Sequence, residues 1–170
     1  MHWRNTTTTY GLLSIGMHWL VALLVFSLFG LGLWMVELDY YSGWRHTAPQ
    51  LHKGFGLCLL ALMLLRLLWR FLSPPPAPLS SYSRRTQLGA KIGHSVLYLG
   101  LFALMLAGYL ISTADGRGIS VFGWFEVPAT ITSIPDQEDV AGAVHLYLAW
   151  ALVVFASLHG LAALKHHFID

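Results

Sequence analysis

The sequence has few charged residues and a single cysteine. Aspartate, glutamate, lysine and arginine make up 11% of its 170 residues, whereas hydrophobic residues make up 56%. Because a soluble domain carries charge on about a quarter of its residues, this composition argues against an ordinary water-soluble protein and favours one surrounded by lipid. The lone Cys58 excludes a disulfide framework and a cysteine-based metal site, and we expect it to be a small residue packed in the core. Nucleic-acid-binding motifs are also absent from the sequence.

The apolar residues are concentrated in four long blocks, at residues 12–36, 51–72, 90–111 and 141–164. Each block is long enough to cross a hydrocarbon core of about 30 Å as a helix. A helix is required because an unpaired backbone group is costly in lipid. The sequence therefore predicts an all-α integral membrane four-helix bundle that forms a single domain over residues 1–170.

Charge in the connecting segments predicts the orientation of the bundle. Seven basic residues fall at the termini or around the second loop, and three fall at the opposite face. The first set is Arg4, Arg66, Arg70, Arg84, Arg85, Lys91 and Lys165, and the second is Arg45, Lys53 and Arg117. By the positive-inside rule both termini lie in the cytoplasm. Seven of the eight acidic residues fall on the outer side, which agrees.

Two connecting segments have a distinctive composition. The proline run at residues 74–78 should end the second helix cleanly and continue as a stiff linker. The third loop is the longest, and residues 113–116 read as a turn. The aromatic stretch at residues 119–127 suits a segment that lies on the outer membrane surface and caps the bundle.

Four of the nine histidines lie within the apolar blocks or at their edges. Ionisable groups in a bilayer are costly and usually mark function. His18 and His159 lie at similar depths near the cytoplasmic side, and His52 and His145 lie near the outer side. His145 and His159 are 14 residues apart in the sequence, close to four helical turns, so both project from one helix face about 21 Å apart. Two stacked sites of two imidazoles each suit two haem irons.

Other residues are candidates for the same two sites. Arg66 follows His52 at the 14-residue spacing and would pair with a propionate of the inner haem or extend to the interface. His94 is the alternative to His18, which depth favours as the inner ligand. Small residues beside the histidines would let a flat cofactor approach the helix backbone, although glycine is also common at membrane-helix contacts. These residues are Gly16, Gly54, Gly56, Gly142 and Gly160.

Four motifs resemble the bacterial cytochrome b561 family, and the match runs in order along essentially the whole chain. They are Gly16-Met-His-Trp-Leu20, Leu51-His-Lys-Gly-Phe-Gly56, Ile92-Gly-His-Ser-Val-Leu-Tyr98 and His159-Gly-Leu-Ala-Ala-Leu-Lys-His-His-Phe168. Three further stretches resemble the branch of the second bacterial homologue: Gly32-Leu-Trp-Met-Val36, Ile111-Ser-Thr-Ala-Asp-Gly116 and residues 161–170. Members of that branch often occur beside a periplasmic lipocalin-like isoprenoid-binding protein, and family members usually continue into a short charged tail.

The resemblance implies two haems b in the inner membrane, with His18 and His159 on the inner iron and His52 and His145 on the outer one. It also implies exchange with ubiquinone and, in one branch, oxidation of superoxide at the periplasmic face. We expect the quinone near the inner haem, beside His166, which repeats the helix face of His159 and suits proton transfer. A solvated interfacial histidine is the alternative for that residue.

The leading functional prediction is an oxidoreductase that carries electrons between the periplasmic face and the ubiquinone pool. The alternative is an anchor or relay subunit of a larger dehydrogenase or of a periplasmic partner. A histidine-lined metal transporter fits poorly because no carboxylate lies in the apolar blocks. On the outer face, Arg45, Lys53 and Arg117 would form a positive spot if they converge. That spot would attract a small anion or neutralise the haem propionates, and Lys53 suits the second role because it follows His52.

Overall fold

The computed structural model describes residues 2–78 and 82–169, apart from the side chains of His166 and His167. Within these residues the chain forms four long helices and one two-stranded sheet. The helices are α1 (Leu12–Val36), α2 (Thr47–Leu72), α3 (Arg84–Thr113) and α4 (Gln137–Phe168), and the strands between α3 and α4 are β1 (Ile119–Val121) and β2 (Phe125–Val127). All four helices are long and apolar enough to cross a membrane, which confirms the prediction of four membrane-length helices.

Three helices begin before their apolar blocks because polar first turns are compatible with a helix. α2 includes Pro49, which is tolerated in a first turn because its missing N–H needs no partner there. The side chain of Ser83 caps α3 by accepting the backbone N–H of Thr86 at 3.2 Å. α4 carries Glu138 and Asp139 in its first turn, where negative charge interacts favourably with the helix dipole. These three helices are therefore longer than their apolar blocks.

The core lies at the middle of the bundle and draws side chains from all four helices. Its buried members are Val21, Leu28, Leu59, Met63, Leu101 and Leu152. Met63 is the largest fully buried apolar side chain. This apolar layer separates the two ends of the bundle, where the candidate histidines lie.

The outward faces of the helices remain apolar, as a lipid-covered surface requires. Leu23, Leu65, Leu99 and Leu158, one from each helix, are all more than half exposed. Large apolar side chains in this number on a surface indicate a lipid-facing exterior. Cys58 is exposed on α2 as well, so the expectation that it packs in the core is wrong.

The N-terminal segment is fastened to the end of α2 through Asn5. Its side-chain amide donates to the backbone carbonyls of Ser73 and Pro74 at 2.8 and 3.2 Å. Its side-chain oxygen accepts from the hydroxyl of Ser14 at 2.7 Å, and its backbone N–H donates to the hydroxyl of Ser73. α2 ends at Leu72, and Ser73 separates it from the prolines, so the helix ends before the proline run as predicted. Asn5 thus joins the start of α1 to the end of α2.

The connection from α3 to α4 begins with the predicted turn. The backbone N–H of Gly116 donates to the carbonyl of Thr113 at 3.0 Å, and Gly116 adopts a positive φ of 80°. Farther along, the buried side chain of Gln137 donates to the carbonyls of Leu110 and Ile131, both at 2.9 Å. The long loop is therefore held against the outer end of α3.

The aromatic stretch of this loop forms a β-hairpin, which the sequence did not predict. β1 and β2 pair antiparallel, with Ser120 opposite Glu126. Phe122 and Gly123 at the tip have positive φ values of 52° and 77°. The ring of Phe122 packs on α2, where a Cβ built on Gly54 would come within 2.8 Å of it. The hairpin thus covers the outer part of α2, as expected of a capping segment.

Candidate functional site

The outer site consists of one histidine from α2 and one from α4. The ring centroids of His52 and His145 lie 6.3 Å apart, with an angle of 70° between the ring planes. Both residues are partly buried. Two metal–imidazole bonds of about 2 Å each, one on either side of an iron, place the ring centroids roughly 6 Å apart. The two imidazoles therefore have the spacing that one iron between them requires.

Hydrogen bonding determines which nitrogen of His145 is available to a metal. Its Nδ1 lies 3.0 Å from the backbone carbonyl oxygen of Leu104. Because a carbonyl only accepts, Nδ1 must carry the proton, which leaves the lone pair on Nε2. Among the described residues, no group of three or more histidine, cysteine or acidic side chains is arranged to hold a metal ion. A haem needs only two protein ligands, since the porphyrin supplies the rest.

At the opposite end of the bundle the structure brings three histidines and an arginine together. His18 lies within electrostatic range of both His94 and His159. The rings of His94 and His159 are in edge contact, with centroids 5.1 Å apart. Arg66 donates to Nδ1 of His18 at 3.1 Å, and its guanidinium lies 5.5 Å from the centre of the Tyr98 ring. Arg66 is therefore at the inner histidines, where the sequence places it.

His94 belongs to this inner group together with the two histidines that the sequence pairs. A centroid distance of 5.1 Å between His94 and His159 is shorter than the roughly 6 Å that two metal–imidazole bonds need. His18 accepts a hydrogen bond through Nδ1 from a cation, so ligation through Nε2 would require that bond to be exchanged for one in which Nδ1 donates. The outer pair has the spacing of a haem site, whereas the inner group requires rearrangement.

The three basic residues of the outer face converge on one cavity. Arg45, Lys53 and Arg117 all line a cavity of about 690 Å³ between the start of α2 and the hairpin. His46, which the sequence treats as a loop residue, lines it as well. Lys53 directly follows His52 in the chain, whereas neither His52 nor His145 lines the cavity. The three basic residues therefore converge, as the predicted positive spot requires.

Asp115 also lines the cavity and partly neutralises that charge. Its carboxylate accepts from the Nε of Arg117 at 2.6 Å and forms a salt bridge with the same guanidinium. Hydrogen bonds from the Arg117 side chain and backbone hold the pKa of Asp115 below its usual range. Asp115 is therefore ionised at neutral pH, where it pairs with Arg117, interacts electrostatically with Lys53 and offsets part of the cavity's positive charge.

The glycines beside the candidate histidines differ in what surrounds them. Gly54 is expected to let a porphyrin face or a neighbouring element approach the helix backbone, and in the structure the ring of Phe122 lies against it. A Cβ at Gly56 or Gly142, in contrast, would meet no atom within 4 Å. The side chain of His166 lies outside the described part of the chain.

Comparison with known proteins identifies relatives along the whole chain. A family model described as prokaryotic cytochrome b561 matches residues 9–170. Cytochrome b561 homolog 2 of Escherichia coli (strain K12) is 56% identical over 170 residues, which covers 100% of this chain and 90% of that protein. A Yersinia pestis protein named probable superoxide oxidase CybB is 32% identical over 162 residues, which covers 94% of this chain and 89% of that protein.

Proposed function

Because the chain belongs to the prokaryotic cytochrome b561 family, we propose that it carries electrons through two haems b between the periplasmic face of the inner membrane and ubiquinone. Members of this family bind haem b, and the four apolar helices make the chain a multi-pass protein of the bacterial inner membrane. The observation that supports two haems is the division of the candidate ligands into two groups, one at each end of the bundle.

The outer haem is assigned to His52 and His145, and the inner one to His18 and His159. When bound, the haems supply one-electron chemistry, and the protein sets their spacing, potential and access. The 6.3 Å separation of the outer imidazoles supports the outer assignment. Arg66 lies at the inner histidines, where its guanidinium suits a propionate. His94 is the alternative inner ligand.

The charge distribution supports an orientation with both termini in the cytoplasm. In that orientation the Asn5 segment and the inner histidines face the cytoplasm, and the hairpin with its cavity faces the periplasm. The cavity that Arg45 and Lys53 line then lies on the periplasmic side, and its lining residue Lys53 adjoins the proposed outer ligand His52 in the chain. An electron donor in the periplasm would reach the outer site through this opening.

Superoxide is the electron donor that this cavity suits best. A small anion is attracted by Arg45 and Lys53, and its oxidation to dioxygen releases one electron without a proton. Two such electrons, with two protons taken up from the cytoplasmic side, reduce ubiquinone to ubiquinol. A relative named probable superoxide oxidase, which is 32% identical, supports the same donor.

The experiment mixes purified holoprotein with a superoxide-generating system and follows haem reduction and ubiquinol formation. We expect superoxide to reduce the haem and superoxide dismutase to abolish this reduction. One ubiquinol should then form for every two superoxides that are oxidised. A haem that superoxide does not reduce would eliminate superoxide as the donor and favour the second candidate, a relay for a larger dehydrogenase or a periplasmic partner such as a lipocalin-like protein. Copurification of a stoichiometric partner from native membranes would support that candidate.

The quinone is assigned to the cytoplasmic end, close to the inner histidines. His166 lies seven residues beyond His159 on α4, so both occur on the same helix face. An imidazole at this interface suits proton transfer to a reduced quinone. His166→Ala should slow ubiquinone reduction with both haems retained, and His167→Ala, which changes the adjacent helix face, is the matched control. Unchanged quinone kinetics in His166→Ala would remove this residue from the quinone site.

A further inference from the structure

The ring of His145 lies against α3 at a glycine. A Cβ built on Gly108 would lie 3.0 Å from Cε1 and 3.2 Å from Nδ1 of this ring. Any larger residue at that position would push the imidazole away from α3. The hydrogen-bond acceptor of Nδ1, the carbonyl of Leu104, lies one helical turn before Gly108. Gly108 therefore leaves the space through which His145 reaches a backbone carbonyl.

The ring of His52 lies against α1 in a similar way. A Cβ built on Gly32 would lie 3.2 Å from Cε1 and 3.7 Å from Nδ1 of His52. Leu28 precedes Gly32 by four residues, just as Leu104 precedes Gly108. The Nδ1 of His52 is fully buried, and no hydrogen-bond partner for it occurs in the described part of the chain. The two histidines thus share one arrangement, with the hydrogen bond formed at His145 alone.

We propose that Gly32 and Gly108 position the two imidazoles of the outer site, and that Nδ1 of His52 donates to the carbonyl of Leu28. A buried N–H without a partner is costly, and a helix carbonyl retains a second lone pair after its helical bond. Both rings would then carry the proton on Nδ1 and present Nε2 as the nitrogen available to a metal. The inference rests on the proposed outer haem, and it assigns a role to two residues outside the histidine motifs.

The orientation of the rings affects the electronic properties of the site. A hydrogen bond from the second ring nitrogen to a carbonyl raises the basicity of the ligating nitrogen and fixes the ring plane. A more basic ligand stabilises the oxidised metal, so losing the bond raises the reduction potential. A methyl group at Gly108 or Gly32 would displace the ring by a few tenths of an ångström, which weakens the bond without removing the ligand.

The test compares Gly32→Ala and Gly108→Ala with two matched controls in the purified holoprotein. Gly30→Ala on α1 and Gly89→Ala on α3 add the same methyl group where it would meet no atom within 4 Å. Haem content, the midpoint potential of each haem and the electron paramagnetic resonance spectrum are measured. We expect each test variant to retain its haems, raise the outer-haem potential and alter the outer low-spin signal. The inner haem and both controls should match the wild type.

Unchanged potentials and spectra in either test variant, with haem bound, would overturn the inference and leave the proposed function intact. A wild-type protein without an outer haem would instead refute the proposed function. If a test variant loses its haem, redox-difference infrared spectra of the wild type decide. Imidazole ring modes of two hydrogen-bonded Nδ1–H groups at the outer haem would support the proposal, and one such group would contradict it.

Discussion

The imidazole rings of His52 and His145 lie 6.3 Å apart in an edge-on arrangement. Each ring also lies against a different neighbouring helix, at Gly32 on α1 and at Gly108 on α3. All four helices therefore contribute to the spacing of this pair. A site built in this way is expected to keep its geometry when one ligand is replaced, because each ring has its own support.

Replacing a single outer ligand should remove one haem and leave the other. His52→Ala and His145→Ala should each retain the inner haem, because the apolar layer between the two ends does not depend on either side chain. His46→Ala, at the mouth of the outer cavity, is the control that should retain both haems. The measurement is a pyridine haemochrome assay with reduced-minus-oxidised spectra. Loss of both haems, or of neither, in the two ligand variants would contradict the assignment.

The inner ligands can be distinguished by three further variants. We expect His18→Ala and His159→Ala to lose the inner haem, and His94→Ala to retain it, because depth in the apolar block favours His18. The same haem assay reports the result for each purified variant. Retention of the inner haem in His18→Ala together with its loss in His94→Ala would assign the ligand role to His94, whose ring already contacts His159.

Changing the charge of the outer cavity should change the rate at which superoxide reduces the haem. Asp115→Asn removes the partner of Arg117 and adds positive potential, so the rate should rise about twofold at low salt. Arg45→Ala should lower it by a similar factor. Both effects should shrink at high salt, because screening acts over about 8–10 Å. Glu37→Gln is the control, since it changes the same charge at a residue outside the cavity lining.

The pH dependence of this steering follows from the pKa of Asp115. Arg117 holds that pKa below the usual value of 3.8, so the ion pair persists at all pH values above it. The pair is lost only as the pH falls through the lowered pKa. Between pH 6 and 8 the ratio of the Asp115→Asn rate to the wild-type rate should therefore stay constant. A ratio that falls toward one as the pH decreases from 8 to 6 would contradict the assignment.

Gly54→Ala should displace the hairpin. The added methyl group would come within 2.8 Å of the Phe122 ring, so the ring and the strands beside it must move. Gly56→Ala, two residues farther along α2, is the matched control because its methyl group would meet no atom within 4 Å. Hydrogen exchange should become faster at residues 119–127 in Gly54→Ala alone. Equal exchange in the two variants would show that the hairpin does not depend on this contact.

Asn5→Ala should destabilise the end of the bundle at which α1 begins and α2 ends. The change removes the side-chain hydrogen bonds that join Asn5 to Ser14, Ser73 and Pro74. The loss should amount to about 1–3 kcal/mol for partly buried groups, measured as a lower unfolding midpoint in detergent with both haems initially bound. Thr8→Ala, in the exposed part of the same segment, should leave the midpoint within error. A wild-type midpoint in Asn5→Ala would contradict the fastening role.

Local sequence features predicted much of the fold and the position of the site. Apolar length predicted the four helices, and helical spacing placed Arg66 at the inner histidines. The hairpin was not predicted because its strands are three residues long and Phe122 takes a backbone conformation that the sequence does not signal. The Asn5 contacts were not predicted either, because their partners are 68 and 69 residues away. Contacts between distant residues depend on packing, which periodicity does not encode.

The most direct test of two haem sites is the haem content of the purified wild-type protein. A pyridine haemochrome assay, combined with amino-acid analysis of the same sample, gives the number of haems b per chain. Two histidine groups at opposite ends of the bundle predict two haems b per chain, which titrate as two components in a redox titration. A value of one haem per chain in fully loaded protein, titrating as a single component, would contradict the two-site arrangement.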